Sequence, residues 1–421
     1  MPIPADPAFD STLSFLREGY DYIGNRCRRL GSDIFTARLM LRPVTCIAGE
    51  DAARHFYDGE HFTRVGAMPP TTVRLLQDKG SVQALDGAAH RARKAMFLAM
   101  MDDAAIHAAG DMFDRQWDRA LRRWREAGAI TFHDEAVRLC TATACEWIGL
   151  SLGRASLDKR AEEQAAMVAG AGSVGPNLAR GLWLRRRSER WARRVIHALR
   201  DGRLAADSQT PIARLATFRD ANGALLDRKT AGVELLNLLR PTVAVARFLT
   251  FAGLALHEHP AAAQWLGDAR DPARVHAFAQ EVRRYYPFFP VIGGRVRKPF
   301  TWRGHDFGDG DWVLLGLHAT NHDPRLWDRP ERFDPARRPE SLDDGFRLVP
   351  QGAGDHAADH RCPGEWLTLE LMRRAIVRLR ALGAAVPPQD LTVPLDRFPT
   401  LPRSGLRLRM PAGDGAASRP R

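Results

Sequence analysis

Two short stretches carry residue types that could do chemistry. The first is QGAGDHAADHRCPGEWLTLELMRRAIVRLRAL at 351–382, where a Gly-rich loop delivers Cys362 just before an amphipathic helix. The free N–H groups and the positive end of a helix lower a cysteine pKa and favour the thiolate. Pro363 fits the first turn, because its missing N–H would have had no partner there. A soft thiolate suits haem iron, and its electron donation favours O–O cleavage. Taken alone, the residue is equally at home as a small buried Cys at a helix start. The second stretch is GVELLNLLRPTVAVARFLTFAGLAL at 232–256, an apolar run interrupted by Arg240-Pro241. Pro inside a helix removes a hydrogen bond and costs about 3 kcal/mol. An Arg in apolar surroundings is also expensive unless paired. Two costly residues side by side point to a site, and a buried guanidinium favours a planar anion such as a carboxylate, held bidentately. The alternative is an Arg that reaches the surface or a haem propionate beside a simple kink.

Those residues need a frame. The chain has 421 residues, 45% hydrophobic and 27% charged, which is ordinary globular composition with length for a large core. A net charge of +12 could suit an acidic partner, an anionic substrate or nucleic acid. Arginines are scattered, as in RGLWLRRRSERWARR at 180–194, without interleaved base-stacking aromatics, so no nucleic-acid role is expected. Five cysteines (Cys27, Cys46, Cys140, Cys145 and Cys362) show no CxxC spacing, which argues against a zinc site or a disulfide framework and fits a reducing cytoplasm. The N-terminus has no long apolar run, and the run at 232–256 carries Glu234, Arg240 and Arg247. No membrane segment is therefore expected, and a cytoplasmic location is.

Strand formers cluster at 34–47, and the pattern is mostly helical from about 87 to 286. FDRQWDRALRRWREAG at 113–128 and EAVRLCTATACEWIGL at 135–150 read as helices. From about 290 to 360 Gly, Pro and Asp become frequent and short β-like runs such as DWVLLGLH appear, before a last helix at 365–382. The expectation is one domain over 1–421, mainly α with a small β region confined to the two ends, and a disordered tail at 410–421.

Three motifs in this order resemble the cytochrome P450 superfamily: Glu281-Val282-Arg283-Arg284, Pro330-Glu331-Arg332-Phe333, and Cys362-Pro363-Gly364 before a helix. The resemblance covers nearly the whole chain. It implies the cytochrome P450 fold, haem b on Cys362, and a buried ion network of Glu281, Arg284 and Arg332. It also implies that His360 and Gly354 of the loop and His90 and Lys94, at i and i+4 of a helix, lie with the cofactor.

The departures from ordinary P450 monooxygenases carry the function. An acidic residue followed by Thr is usual in the long helix, and here Arg240-Pro241 stands instead. That pair, with the longer loop QGAGDHAADHRCPGEW, resembles the fatty-acid peroxygenase family of P450 enzymes. The resemblance implies hydrogen peroxide as oxidant, no required redox partner, and a long-chain fatty acid hydroxylated at its α or β carbon. The substrate carboxylate, paired with Arg240, would then act as the acid–base group. Gln83 aligns with a position that favours hydroxylation over terminal-alkene formation. Val174 and Gly175, in Ser173-Val174-Gly175-Pro176, resemble a pocket-lining turn, and Phe289 is expected in the same pocket. The rival readings are a monooxygenase fed by redox partners, a fatty-acid decarboxylase, and a non-catalytic haem or fatty-acid binder.

Overall fold

The structure is a computed structural model that describes residues 3–57, 61–78, 80–337 and 345–411. The tail expected from residue 410 lies outside the described residues from 412 onward.

Helices dominate. In chain order the ones that matter here are α1 (Pro70–Leu76), α2 (Gly87–Leu98), α3 (Asp103–Ala127), α4 (Phe132–Ile148), α5 (Arg154–Gly170), α6 (Pro176–Arg200), α7 (Arg228–Ala244), α8 (Ala246–Glu258), α9 (Pro272–Tyr285) and α10 (Glu365–Ala381). Local signals set their ends. Asp102 caps α3 by accepting the Ala105 N–H, and the helix stops at Gly128 with φ 70°. Asp227 caps α7 through the N–H groups of Lys229 and Thr230. Trp117 and Trp124 of α3 and Phe132 of α4 pack edge to face in the core, with ring centroids 5.1–6.2 Å apart.

The strands are β1 (Ile34–Leu39), β2 (Arg42–Ile47), β3 (Phe62–Thr63), β4 (Ala129–Thr131), β5 (Val291–Val296), β6 (Phe300–Trp302), β7 (His305–Phe307), β8 (Trp312–Gly316) and β9 (Arg407–Arg409). Five of them form one sheet in the order β1-β2-β8-β5-β3, with β2 and β8 parallel and the other neighbours antiparallel. The β material is not confined to the two ends of the chain. β4 sits between α3 and α4 and pairs antiparallel with β9. Three residues are too few for a period-2 pattern to register, and the partner lies far away in sequence.

The apolar run divides into α7 and α8 around Val245, with Pro241 inside α7. Pro241 has no N–H to give the carbonyl four residues back, and four residues further on Val245 donates to Thr242 O at 3.3 Å, a tighter turn than the α-helix. By length and composition residues 228–258 could cross a bilayer, yet most of that stretch is buried among other helices.

Arg247 of α8 is a buried cation whose Nε and Nη1 have no hydrogen-bond partner. Burial lowers its pKa to about 10, against a raising influence from Tyr20. A cation without a counter-ion inside a core destabilises the fold, and an apolar residue of similar length removes that cost. Arg247→Met is therefore expected to raise the melting temperature by roughly 2–4 °C, measured by circular dichroism.

Candidate active site

Cys362 ends the loop that leads into α10. Its N–H donates to Gln351 O at 3.1 Å, which folds the loop back on itself. Gly352 and Gly354 take φ of 93° and 89° there. A Cβ at Gly354 would collide with the Asp359 side chain, so glycine lets the loop close. The extra length of the loop is a self-capped turn: Asp355 accepts the N–H groups of Ala357 and Ala358, and Asp359 accepts the Asp355 N–H at 2.7 Å. Lys94 of α2 is buried and donates to the carbonyls of Asp359 and Arg361, the latter at 2.8 Å, clamping the loop backbone. Burial brings the Lys94 pKa down to about 8, with Cys362, Asp359 and Asp355 opposing.

The helix-start argument for a ready-made thiolate loses to desolvation. Burial pushes the Cys362 pKa up, Glu365 adds to the rise, and the Gly364 N–H, Gln351 and Lys94 oppose it. Glu365 is itself held down by Arg283 and Arg361, which bond it at 2.5 and 2.6 Å, although burial acts the other way. Haem iron, held by Cys362, would favour the thiolate.

Cys362 faces a cavity of about 290 Å³ whose opposite wall is α7 and α8. Its lining includes Gln83, Phe289 and His360 from the expected set, together with Arg240 and Pro241. The wall is otherwise largely apolar, with Val82, Phe97, Val245, Phe248 and Phe288, and no Asp or Glu lines it among the described residues. Val174 and Gly175 do not belong there. Val174 is 81% exposed, because the turn before α6 points outward. Gly354 also lies off the cavity, and Gly352 lines it instead.

Arg240 is fully inside. Nη2 donates to Leu76 O, at the C-terminal end of α1, and to Asn237 Oδ1 at 2.7 Å. Nη1 has no partner. Burial, and then the nearby Arg185, hold the Arg240 pKa well below its usual value, while Glu234, Asp78 and Glu189 oppose. Asn237 in turn donates through Nδ2 to Glu234 at 2.8 Å and to Gln83 Oε1 at 3.3 Å. Glu234 is fully buried and also accepts Arg93 at 2.6 Å and the Val82 N–H at 3.0 Å. Burial raises its pKa, with Asn237 and Arg93 opposing. Glu234, Asn237 and Arg240 recur every three residues on one face of α7, a signal visible in ELLNLLR that sequence reasoning passed over.

At one end of the cavity, past Tyr57 and His360, lies a polar chamber of about 250 Å³. Arg64, Arg91, Arg297 and His90 line it with Asp86 and His360. His90 stacks on His360 with centroids 3.9 Å apart, and burial, with His360 and Lys94 adding, lowers its pKa to about 3, so it stays neutral. A cavity with a thiol on one wall, apolar sides and a cationic end fits a haem. Cys362 would hold the iron, and Arg64 and the chamber would meet the propionates. Arg64 and Arg297 carried no spacing signal.

The expected ion network forms around α9. Arg284 meets Glu281 with two bonds of 2.8 Å and donates to the carbonyls of Asn321, Pro330 and Arg332. The third member is not Arg332, whose side chain is exposed. It is Arg337, with Nε 3.2 Å from Glu281 Oε1. Arg332 contributes its carbonyl, which both arginines use.

A family model of cytochrome P450 matches residues 275–379, which span α9 to most of α10. Among solved structures, cytochrome P450SP alpha in complex with (R)-ibuprophen is 39% identical, with a TM-score of 0.90, over 95% of this chain and 98% of that one. Cytochrome P450EX alpha with myristic acid is 37% identical, with a TM-score of 0.91, over 97% and 98%. A variant of cytochrome P450 OleT in complex with arachidonic acid is 29% identical, with a TM-score of 0.92, over 97% and 98%.

The two arginines separate by experiment. Arg337→Ala is expected to lower unfolding stability by about 2–3 kcal/mol, because Glu281 stays buried with one guanidinium fewer. Arg332→Ala is expected to stay within about 0.5 kcal/mol of the parent in denaturant titrations.

Proposed function

The chain belongs to the cytochrome P450 family and carries haem, and on that premise we propose that it is a peroxygenase that uses hydrogen peroxide to hydroxylate long-chain fatty acids at the α or β carbon. The observation that carries the proposal is the Arg240 guanidinium, buried against an apolar cavity with Nη1 unmatched.

A buried donor of that kind calls for an acceptor, and a charge-assisted bond to a carboxylate is the strongest one available. Asn237 and the Leu76 carbonyl hold Nη2, which leaves the guanidinium with unspent N–H donors on a residue that lines the cavity. Phe248, Phe288, Phe289, Val82 and Leu76 then receive an alkyl chain and exclude water. This pairing suits a fatty acid better than a neutral lipid or a short polar acid. It also keeps the first carbons of the chain close to the carboxylate anchor.

When bound, the thiolate-ligated haem supplies peroxide activation and C–H oxidation. The protein side of that chemistry needs a proton carrier. No carboxylic side chain lines the cavity among the described residues, and His360 is stacked on His90 and turned to Asp86 at 3.7 Å. The substrate carboxylate, held at Arg240, fills the role, so a proton can be taken up and returned without an acidic side chain on the cavity wall. Cytochrome P450EX alpha with myristic acid and P450SP alpha with (R)-ibuprophen show that carboxylic acids enter relatives of this chain. Gln83 accepts a hydrogen bond from Asn237, and by the family resemblance a Gln there favours hydroxylation over alkene formation.

With peroxide as sole oxidant, mass spectrometry of products from saturated fatty acids is expected to give 2- or 3-hydroxy acids. NADPH with a surrogate redox system is expected to add nothing. Arg240→Ala is expected to lower peroxide-driven turnover about 100-fold or more while the haem absorbance persists. Full activity in that variant would overturn the carboxylate mechanism. Asn237→Leu is expected to raise KM for the fatty acid about tenfold, because the Arg240 fork loses one of its two anchors.

A further inference from the structure

Five large apolar side chains stand exposed near the N-terminus, and backbone contacts bring them together. They are Phe9, Leu13 and Leu16, on and before the helix Thr12–Glu18, and Met40 and Leu41 at the tip of the β1–β2 hairpin. Phe9 is 76% exposed, Leu41 69%, Leu13 66% and Met40 51%. The Ser11 N–H donates to Arg38 O at 2.8 Å, the Met40 N–H to Thr12 Oγ1 at 2.6 Å, and the Leu41 N–H to Asp10 Oδ2 at 2.7 Å. The helix and the hairpin tip are therefore locked side by side.

The tip is built against local preference. Leu39 pairs with Arg42, which leaves a two-residue turn, and both turn residues have positive φ, 53° at Met40 and 61° at Leu41. A turn of that kind is met at least cost by Asn-Gly. Large apolar residues in the left-handed region are strained, and here they gain no burial for it. What they gain must lie outside the described fold.

The charge around the knob has a sign. Arg17, Arg38 and Arg42 are exposed and form no ion pair among the described residues. Arg38 lies over the Phe9 ring at 5.3 Å. Asp10, which accepts the N–H groups of Thr12 and Leu41 and is drawn on by Arg38, is the one carboxylate within the patch, and Glu18 is paired with Arg26, so the three arginines leave a positive excess. The patch also runs toward the cavity. Arg42 faces Arg295 as a like charge, and Arg295 Nε donates to Gly66 O at 3.2 Å. Beside Gly66 stands exposed Val65, and Met68, three residues beyond Val65, lines the cavity.

We propose that Phe9, Leu13, Leu16, Met40 and Leu41, ringed by Arg17, Arg38 and Arg42, dock this protein on the surface of an anionic lipid bilayer. Protruding aliphatic and aromatic tips enter the boundary between headgroups and chains, while the arginines meet lipid phosphates. A protein partner would instead call for acidic and apolar complementarity to a hairpin tip. The docking geometry stands on the patch alone and does not require the reading of the active site. If that reading also holds, the bilayer is where the substrate dissolves.

The test is co-flotation of the full haem-loaded chain with vesicles of phosphatidylcholine, with and without phosphatidylglycerol. Binding to the anionic vesicles, weakened by added salt, is expected. The pair Met40→Asn and Leu41→Gly gives the turn its preferred residues, so that variant is expected to fold with an equal or higher melting temperature. Its vesicle partition constant is expected to fall about tenfold. Arg38→Gln with Arg42→Gln is expected to remove the preference for anionic vesicles. A parent chain that stays unbound with both vesicle types overturns the proposal. So does unchanged binding in the turn variant, or a parent dimer in size-exclusion chromatography that the turn variant splits while vesicles are ignored.

Discussion

A guanidinium held inside an apolar cavity is the constraint on which the site depends. Left alone, such a charge is too costly for a core to keep. Here the cost is met in layers. Asn237 and the Leu76 carbonyl take one nitrogen of Arg240, Glu234 fixes Asn237, and Arg93 compensates Glu234. The chain of contacts ties α7 to α1 and α2, so the cover of the cavity is anchored by the same groups that orient the arginine. Nη1 is left without a hydrogen-bond partner in a residue that lines the cavity. Complete satisfaction would have made a stable helix with no reason to bind anything, and the incompleteness is what gives the cavity its chemistry.

On the opposite wall the competition runs the other way. A helix start favours a thiolate, yet burial and Glu365 oppose it and prevail. The protein favours the charge on sulfur through the Gly364 N–H, Gln351 and Lys94, but burial outweighs them. It holds the sulfur in place, through the Gln351 carbonyl, through Lys94 on the loop carbonyls, and through Arg283 and Arg361 on Glu365. Coordination to haem iron would supply the rest. The two walls therefore differ in kind: one presents a preformed charge that needs a ligand, and the other a rigid neutral donor that a cofactor ionises.

Particular residues show where sequence reasoning reached its limit. Arg240-Pro241 was legible because both residues are expensive at their position, whatever surrounds them. Glu281 and Arg284 were legible only through the family resemblance, because a Glu and an Arg three residues apart fit any exposed helix as well. Arg332 was misassigned in favour of Arg337 because both lie in an irregular stretch, where no period says which side chain turns inward. Val174 failed for a similar reason, since a turn can point its side chain to either side. Gly354 was expected with the cofactor; what the structure shows of it is that it lets Asp359 close the turn. β4 was missed because its pairing partner is brought to it from the far end of the chain.

The sequence by itself determined which residues could bear the chemistry: one cysteine before a helix, one arginine in an apolar run, and the kink beside it. Side-chain type and near-neighbour spacing are enough for that, because helix geometry and desolvation cost follow from local composition. Only the tertiary structure decided which groups hold Nη2 of Arg240, that Arg337 rather than Arg332 completes the network, and that burial works against the Cys362 thiolate. Each of these depends on groups from other elements approaching within hydrogen-bonding distance. That distance is set by packing between segments far apart in the chain, which no local pattern records.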